Sequence, residues 1–173
     1  MKENLILTLP RLSDEKDWRE YVAEFQKTNP DSNPLSFAVG DDYKHWFAKT
    51  KDERLGKNLK NGRVPVSVYF LKHKGEDRIL AHLSIRHSID TEFLSKVGGH
   101  IGYGTRPSER GKGYATALLG LALGECKKLG ILNPMITCKK SNIPSSKCIQ
   151  HNGGKLRDVV VYEGEEFNRY DFN

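Results

Sequence analysis

The chain has 173 residues, with 28 Lys or Arg against 22 Asp or Glu, for a formal net charge of +6. At 37% hydrophobic and 29% charged residues it reads as a single globular domain over 1–173, long enough to bury a core without disulfide staples. No apolar run approaches the roughly 18 residues of a membrane span, and the basic residues are neither blocked nor interleaved with aromatics, so neither a membrane nor nucleic acid is expected as partner.

The first element, "LILTLPR" at 5–11, reads as a short strand stopped by Pro10. Ser13 and Asp14 offer an N-cap for a helix whose Trp18, Tyr21, Val22 and Phe25 recur at i, i+3, i+4 and i+7. "NPDSNP" at 29–34 breaks the chain. A second helix follows from Asp42 to about Leu55, with Tyr43, Trp46 and Phe47 on one face. β-Branched and aromatic residues then mark a strand from Val66 to Lys72. "KGED" turns it into an antiparallel neighbour, "RILAHLSIRHS". "IDTEFLSKVGG" is an irregular link, and "HIGYGT" at 100–105 is the next strand. A helix spans Gly113 to Leu129, with Gly130 as its C-cap. "ILNPMITC" reads as a strand interrupted by Pro134, and "SNIPSSKCIQHNGG" as a short helix. A hairpin closes the chain, with strands at about Lys155–Tyr162 and Glu166–Phe172. This mixed order implies an α/β or α+β sheet with helices packed on it.

Cys126, Cys138 and Cys148 are odd in number and form no C-x-x-C pair, which fits a reduced compartment and speaks against a metal site. The N-terminal stretch lacks a signal-peptide pattern, so a cytoplasmic address is the expectation.

The informative stretch is "RPSERGKGYATALLG", 106–120. Ala115, Leu118, Leu119, Ala122, Cys126 and Leu129 form one apolar stripe, as any core helix would. The stripe does not account for Gly111 and Gly113, which weaken a helix start unless backbone must approach something closely. Unpaired N–H groups and a positive dipole end make a helix N-terminus a cradle for phosphate, and Arg110 and Lys112 add positive charge. The spacing is not G-x-x-x-x-G-K-[ST], and Thr116 stands where G-x-G-x-x-G needs its third glycine.

Arg110-Gly111-Lys112-Gly113-Tyr114-Ala115 resembles the [QR]-x-x-G-x-[GA] signature of the GNAT superfamily of N-acetyltransferases. Thr105-Arg106-Pro107 holds the place of that family's V-x-P, and Asn142-Ile143-Pro144-Ser145 that of its Asn-x-x-[AS] helix start. "SIRHS", "GGHIGYG" and "KCIQHNGG" are similar to a bacterial subgroup of the family. The resemblance implies a mixed, mostly antiparallel central sheet of about seven strands flanked by about four helices. It implies acetyl-CoA as co-substrate, its pyrophosphate held by the backbone of residues 111–116. The pantetheine arm would lie between the splayed strands "HIGYGT" and "NPMITC". Tyr103, Gly104 and Thr105 would pair with the arm, and Asn142 and Ser145 would border it. The expected cofactor-binding set is thus Tyr103, Gly104, Thr105, Arg110, Gly111, Lys112, Gly113, Tyr114, Ala115, Thr116, Asn142 and Ser145. Lys139, Lys140 and Lys147 either meet the nucleotide phosphates or form a solvated surface.

The resemblance further implies direct attack of an amine on the thioester. The acceptor would be a small molecule or a peptide, and a homodimer is a common assembly. An alkylammonium of pKa about 10.4 must lose a proton, and the oxyanion needs a donor such as a strand N–H. Ile149 stands where many members carry a tyrosine acid. That departure keeps an acyl-CoA-binding regulatory module, without turnover, alive as an alternative. A transferase acting on protein N-termini or lysines is another. His100 is the catalytic candidate, because histidine titrates near neutral pH and opens the strand where some members carry a base. His87, Asp90 and Glu92 are weaker candidates; His82 and His87 fall on opposite faces of the neighbouring strand, and His151 falls on the surface of the last helix. Cys138, at the end of "MITC", could lie near the thioester but is a small core filler first.

Overall fold

In the computed structural model, which describes residues 4–173, seven strands fall into two antiparallel sheets that part in the middle. The first sheet runs β1 (Leu5–Thr8), β2 (Val66–His73), β3 (Ala81–Arg86), β4 (Ile101–Thr105). The second has the order β5-β7-β6, with β5 at Met135–Lys139, β6 at Lys155–Tyr162 and β7 at Glu165–Asp171. Four α-helices flank them: α1 (Glu15–Thr28), α2 (Tyr43–Arg54), α3 (Tyr114–Lys128) and α4 (Ile143–His151). The expected seven strands and four helices are present, but the sheet is divided into four strands and three rather than continuous.

Two cores explain why β2 is buried on both faces. Trp18, Tyr21 and Val22 of α1 and Trp46 of α2 pack with Phe37, Val68, Phe70 and Ile79 into an aromatic cluster. On the other face, Leu71, Leu83 and Ile85 meet Leu118, Leu119, Ala122 and Cys126, the apolar stripe of α3. Trp18 stacks on Tyr21, Trp46 and Phe70 with ring centroids 4.9 to 5.5 Å apart. Such offset pairs add to the burial that fixes α1 and α2 on the sheet.

The boundaries differ from the sequence reading in ways that have physical reasons. The first strand ends at Thr8 rather than 11, and a 3-10 turn at Leu12–Asp14 leads into α1. Asp14 does not cap α1 with its side chain. Its carboxylate is sealed from solvent, where it accepts from Lys72 Nζ at 2.6 Å and the Arg11 N–H at 2.9 Å. Asp42, by contrast, caps α2 as expected, accepting the N–H of Lys44 and His45. Pro134 precedes β5 instead of interrupting it, since a strand paired with β7 cannot spare the N–H. Within the link at 89–99, Leu94–Gly98 form a single wide helical turn.

Arg106 is the polar keystone of this arrangement. Its side chain is almost wholly buried, and it holds Glu24 through Nε at 2.6 Å and Asp17 through Nη1 at 3.0 Å. It also reaches the carbonyl of Ile79 at 3.3 Å. One guanidinium thereby ties α1 to the end of β4, at the start of the glycine-bearing loop. Removing one member of a buried ion pair strands the other in low dielectric. Arg106→Met is therefore expected to lower unfolding stability by about 3–5 kcal/mol. Urea unfolding of the two proteins at pH 7 measures it, and a loss below about 1 kcal/mol would refute the keystone role.

Candidate active site

Strands β4 and β5 touch at one end only. His100 donates its backbone N–H to Met135 O at 2.8 Å, and Met135 returns its N–H to His100 Nδ1 at 3.0 Å. Beyond this clasp the strands form no ladder. On its other edge β4 pairs with β3, opposing Gly104 to His82 and Gly102 to Ser84. The flanking bonds, Arg86 N–H to His100 O and Arg106 N–H to Leu80 O, set the phase of this ladder. Antiparallel alternation then turns the N–H and C=O of Ile101, Tyr103 and Thr105 away from β3, toward the gap.

A cleft of about 760 Å³ opens at that gap. It is lined by Tyr103, Gly104 and Thr105 of β4, by Arg110, Gly111 and Gly113 of the loop, and by the first turn of α3, Tyr114, Ala115 and Thr116. Asn142, Pro144, Ser145 and Cys148 of α4 form the opposite wall, and Glu109 completes it. Every residue of the expected cofactor set lies on this lining except Lys112. Sequence reasoning passed over Glu109, Pro144 and Cys148.

The loop geometry gives the two glycines a cause. Gly111 has φ +77° and Gly113 has φ +83°, a left-handed backbone that side chains resist. Gly113 is the N-cap of α3, and no side chain caps the helix. The first intrahelical bond runs from the Ala117 N–H to Gly113 O. The N–H groups ahead of Ala117 face the cleft without a side-chain cap, at the positive end of a fifteen-residue helix. This uncapped cradle fits a pyrophosphate.

The nearby cations are less free than their sequence suggests. Lys112 Nζ pairs with Glu109 at 2.7 Å, and Arg78 reaches the same carboxylate at 2.9 Å. Burial opposes ionisation of Glu109, but its bonds from Lys112 and Arg78 hold its pKa below the ordinary value. Arg110 lies over the Phe25 ring at 5.4 Å. Lys139 and Lys140 pair with Glu165 and Glu166 across the β5–β7 edge, which favours the solvated-surface reading for both. Asn142 caps α4, accepting the Ser145 N–H at 3.2 Å, and its side-chain nitrogen has no partner among the described residues.

Tyr103 spans the cleft floor. Its hydroxyl lies 2.7 Å from Ser145 Oγ, which joins β4 to α4. Burial pushes the phenol up to about 12, so it keeps its proton at neutral pH. Ile149, in place of a tyrosine, is fully buried in the core and does not line the cleft.

A second cavity of about 340 Å³ lies on the opposite face of β4 and shares Tyr103 with the first. Its lining includes Leu35, Ser36, Trp46, Arg63, His82, Arg86 and Gly102. Trp46 contributes to both core and cavity wall. Trp18 and Phe47 do not line it.

His82 lines the second cavity and was not among the candidates drawn from the sequence. Its ring presses on Gly104, where a Cβ would stand 2.6 Å from the imidazole. Nδ1 lies 2.8 Å from the Tyr21 hydroxyl, which donates to Gly104 O at 3.0 Å. When the phenolic proton goes to Gly104 O, Nδ1 carries the imidazole proton and Nε2 is the acceptor. Burial lowers its pKa to about 4, so His82 is neutral at pH 7. The legible signal was the glycine pair Gly102 and Gly104: small residues alternating on one strand face mark a bulky group above them.

His100 lines neither cavity. Its Nδ1 is engaged by Met135, and burial is the main cause of its lowered pKa. His87 bonds Ser67 at 2.8 Å, Glu92 pairs with Lys96 at 2.7 Å, and Cys138 is buried. Asp90, His151 and Cys138 line neither cavity.

The model of the Acetyltransferase (GNAT) family matches residues 15–153, most of the chain and all of this site. The chain belongs to the GNAT acetyltransferase family. No curated protein matches it significantly. Among solved structures it is similar to Mycobacterium smegmatis RimJ in complex with CoA-disulfide. The identity is 19% and the TM-score 0.70, covering 97% of this chain and 81% of that one. It is also similar to the microcin C7 self immunity acetyltransferase MccE in complex with acetyl-CoA and AMP. There the identity is 18% and the TM-score 0.69, over 98% and 92% of the two chains. RimL, a ribosomal L7/L12 alpha-N-protein acetyltransferase in complex with coenzyme A, gives 18% identity and TM-score 0.69 over 98% and 94%. These likenesses establish the fold, and the family makes acetyl transfer from acetyl-CoA the chemistry of this GNAT protein. Among the described residues no cluster has the makings of a metal site, and no helix is long and apolar enough to cross a membrane.

The neutral burial of His82 has a thermodynamic consequence. Between its unfolded pKa of about 6.5 and its folded value near 4, the unfolded chain binds the extra proton. The contribution is present above pH 6.5 and is lost as pH falls toward 4. His82→Gln is therefore expected to reduce the stability lost between pH 7 and pH 4 by about 3 kcal/mol. Urea unfolding at both pH values provides the comparison, and equal pH dependence in both proteins would contradict it.

Proposed function

We propose that this GNAT protein is an N-acetyltransferase that moves the acetyl group of acetyl-CoA to a primary amine by direct attack in a ternary complex. The observation that carries the reading is the shared wall. Tyr103 lines both the phosphate-loop cleft and the cavity on the other face of β4, so molecules occupying the two meet at one residue.

The glycine loop and first turn of α3 would hold the pyrophosphate. The outward backbone of Tyr103 and Thr105 would hold the pantetheine as an added strand, with Asn142 and Ser145 opposite. Acetyl-CoA supplies the activated acyl group. His82 Nε2 accepts the amine proton, directly or through one water, as the new N–C bond forms. Its depressed pKa makes it a weak proton sink, so the amine must itself be easy to deprotonate in this cavity. The N–H of Tyr103 is the candidate donor to the carbonyl oxygen as charge develops there. The Tyr103 phenol, protonated at neutral pH, donates to the departing thiolate as the C–S bond breaks, and Ser145 orients it. The phenol on β4 thus takes the place of the absent tyrosine at Ile149, which favours turnover over a binding module.

Calorimetric titration with acetyl-CoA is expected to give saturable binding to the wild type and none to Gly113→Trp, whose ring would fill the cradle from a strained backbone. Unchanged binding in that variant would sink the phosphate-loop assignment. With an accepted amine in hand, Tyr103→Phe is expected to lower kcat by roughly 10²-fold or more while sparing acetyl-CoA affinity. Thiol release followed over a pH series reads it, and an unaltered kcat would remove Tyr103 from proton transfer.

A further inference from the structure

The second cavity carries a charge pattern that general amine binding does not require. Its ionisable lining consists of Lys49, Arg63 and Arg86 with a single carboxylate, Glu53, besides the neutral His82. Lys49 faces Glu53 at 3.7 Å, one helical turn apart, so these two charges offset each other. Arg63 and Arg86 have no carboxylate partner among the described residues.

Arg86 is held in place rather than mobile. Its Nη1 donates to Gly98 O at 3.0 Å and Gly99 O at 3.2 Å. Those bonds leave Nη2 without a protein partner, lying 3.5 Å from the point above Gly102 where a Cβ would stand. The guanidinium of Arg86 thus lies alongside β4 at Gly102, one residue from Tyr103. Both guanidiniums line the one cavity, and burial, then the charge of Arg63, lowers the pKa of Arg86. Two cations on one cavity wall, neither paired with a carboxylate among the described residues, are available to an anion that enters it. A second oddity lies in the same wall. Leu35 and Ser36 adopt φ of +54° and +57°, consecutive side-chain-bearing residues in a left-handed backbone. Such strain persists where surrounding structure requires a particular cavity shape.

We propose that this cavity selects a compact amine that also bears a carboxylate or phosphate, held between Arg63 and the free Nη2 of Arg86 while its amine faces His82 and Tyr103. The proposal rests on the acetyl-transfer reading for its substrate class, but the anion site itself does not depend on turnover. Planar, forked guanidiniums match both oxyanions through paired hydrogen bonds. A volume of about 340 Å³ sits at the small end of ligand cavities, which suits a small molecule better than a folded protein tail.

Two measurements on the full chain test this. In the first, protein saturated with acetyl-CoA, which occupies the phosphate loop, is titrated with inorganic phosphate and separately with acetate. The variant is Arg63→Gln, chosen because Arg63 is exposed and outside the core. Saturable binding of at least one anion, weakened roughly tenfold or more in the variant, is expected. In the second, thiol release is followed for O-phosphoethanolamine against ethanolamine and for β-alanine against β-alaninamide. The anionic member of at least one pair should be preferred by roughly tenfold, with the preference lost in Arg63→Gln. The pair that responds separates phosphate from carboxylate. Anion binding that is absent, or equal in both proteins, overturns the proposal. So does equal use of neutral amines, or turnover confined to uncharged peptides. Arg63-dependent anion binding without turnover on any amine would keep the site and reject the transferase reading. Turnover on neutral amines without anion binding would do the reverse.

Discussion

Strand β4 must satisfy β3 along one edge while leaving the other edge open, and the rest of the site depends on that. A full ladder between β4 and β5 would close the sheet and erase the cleft. The chain avoids this by clasping the two strands at His100 and Met135 and letting them diverge. The open edge is affordable because β4 is short, lies between packed helices, and is bridged by Tyr103 to Ser145. An unpaired edge of this kind presents hydrogen-bonding groups to whatever enters the gap.

The loop that follows β4 needs equally firm support, since its glycines contribute none. Arg106 provides it from within the protein, through Glu24, Asp17 and the Ile79 carbonyl. The anion cradle is then made of backbone rather than of side-chain charge. Lys112 and Arg78 converge on Glu109, so the local cations are largely spent on structure. Backbone N–H groups hold phosphate without the conformational freedom that a lysine would have to give up.

The two faces of β4 divide the chemistry. On one lie the uncapped glycine loop, Tyr103 and α4; on the other lie His82, Arg86 and the aromatic cluster of α1 and α2. Gly104 makes the second face workable, because it leaves room for the His82 ring of β3, and a Cβ at Gly102 would crowd the Ser84 hydroxyl. His82 is positioned by the absence of a side chain at Gly104, and Arg86 by its bonds to the carbonyls of Gly98 and Gly99. Burial then sets the charge states: His82 neutral, Tyr103 protonated.

Much of this was legible in the sequence. The 3.6-residue stripe of α3, the aromatic spacing of α1 and the turn before α2 fixed the elements, because local periodicity reports which face is buried. The glycine-bearing loop stood out too, since paired glycines at a helix start mark backbone that must lie open, and all but Lys112 of the expected lining is brought together around one cleft. What sequence could not decide was which polar groups meet across distance. Asp14 read as a helix cap and is a buried partner of Lys72, fifty-eight residues away. His100 read as a base and has its Nδ1 engaged in the strand clasp. His82 and Arg86 read as ordinary strand residues, and only the pairing of β3 with β4 sets them against glycines at a cavity wall. Periodicity is a property of neighbours along the chain and survives in one dimension. Cross-strand register, burial and the pKa values that follow from burial exist only once the chain has folded.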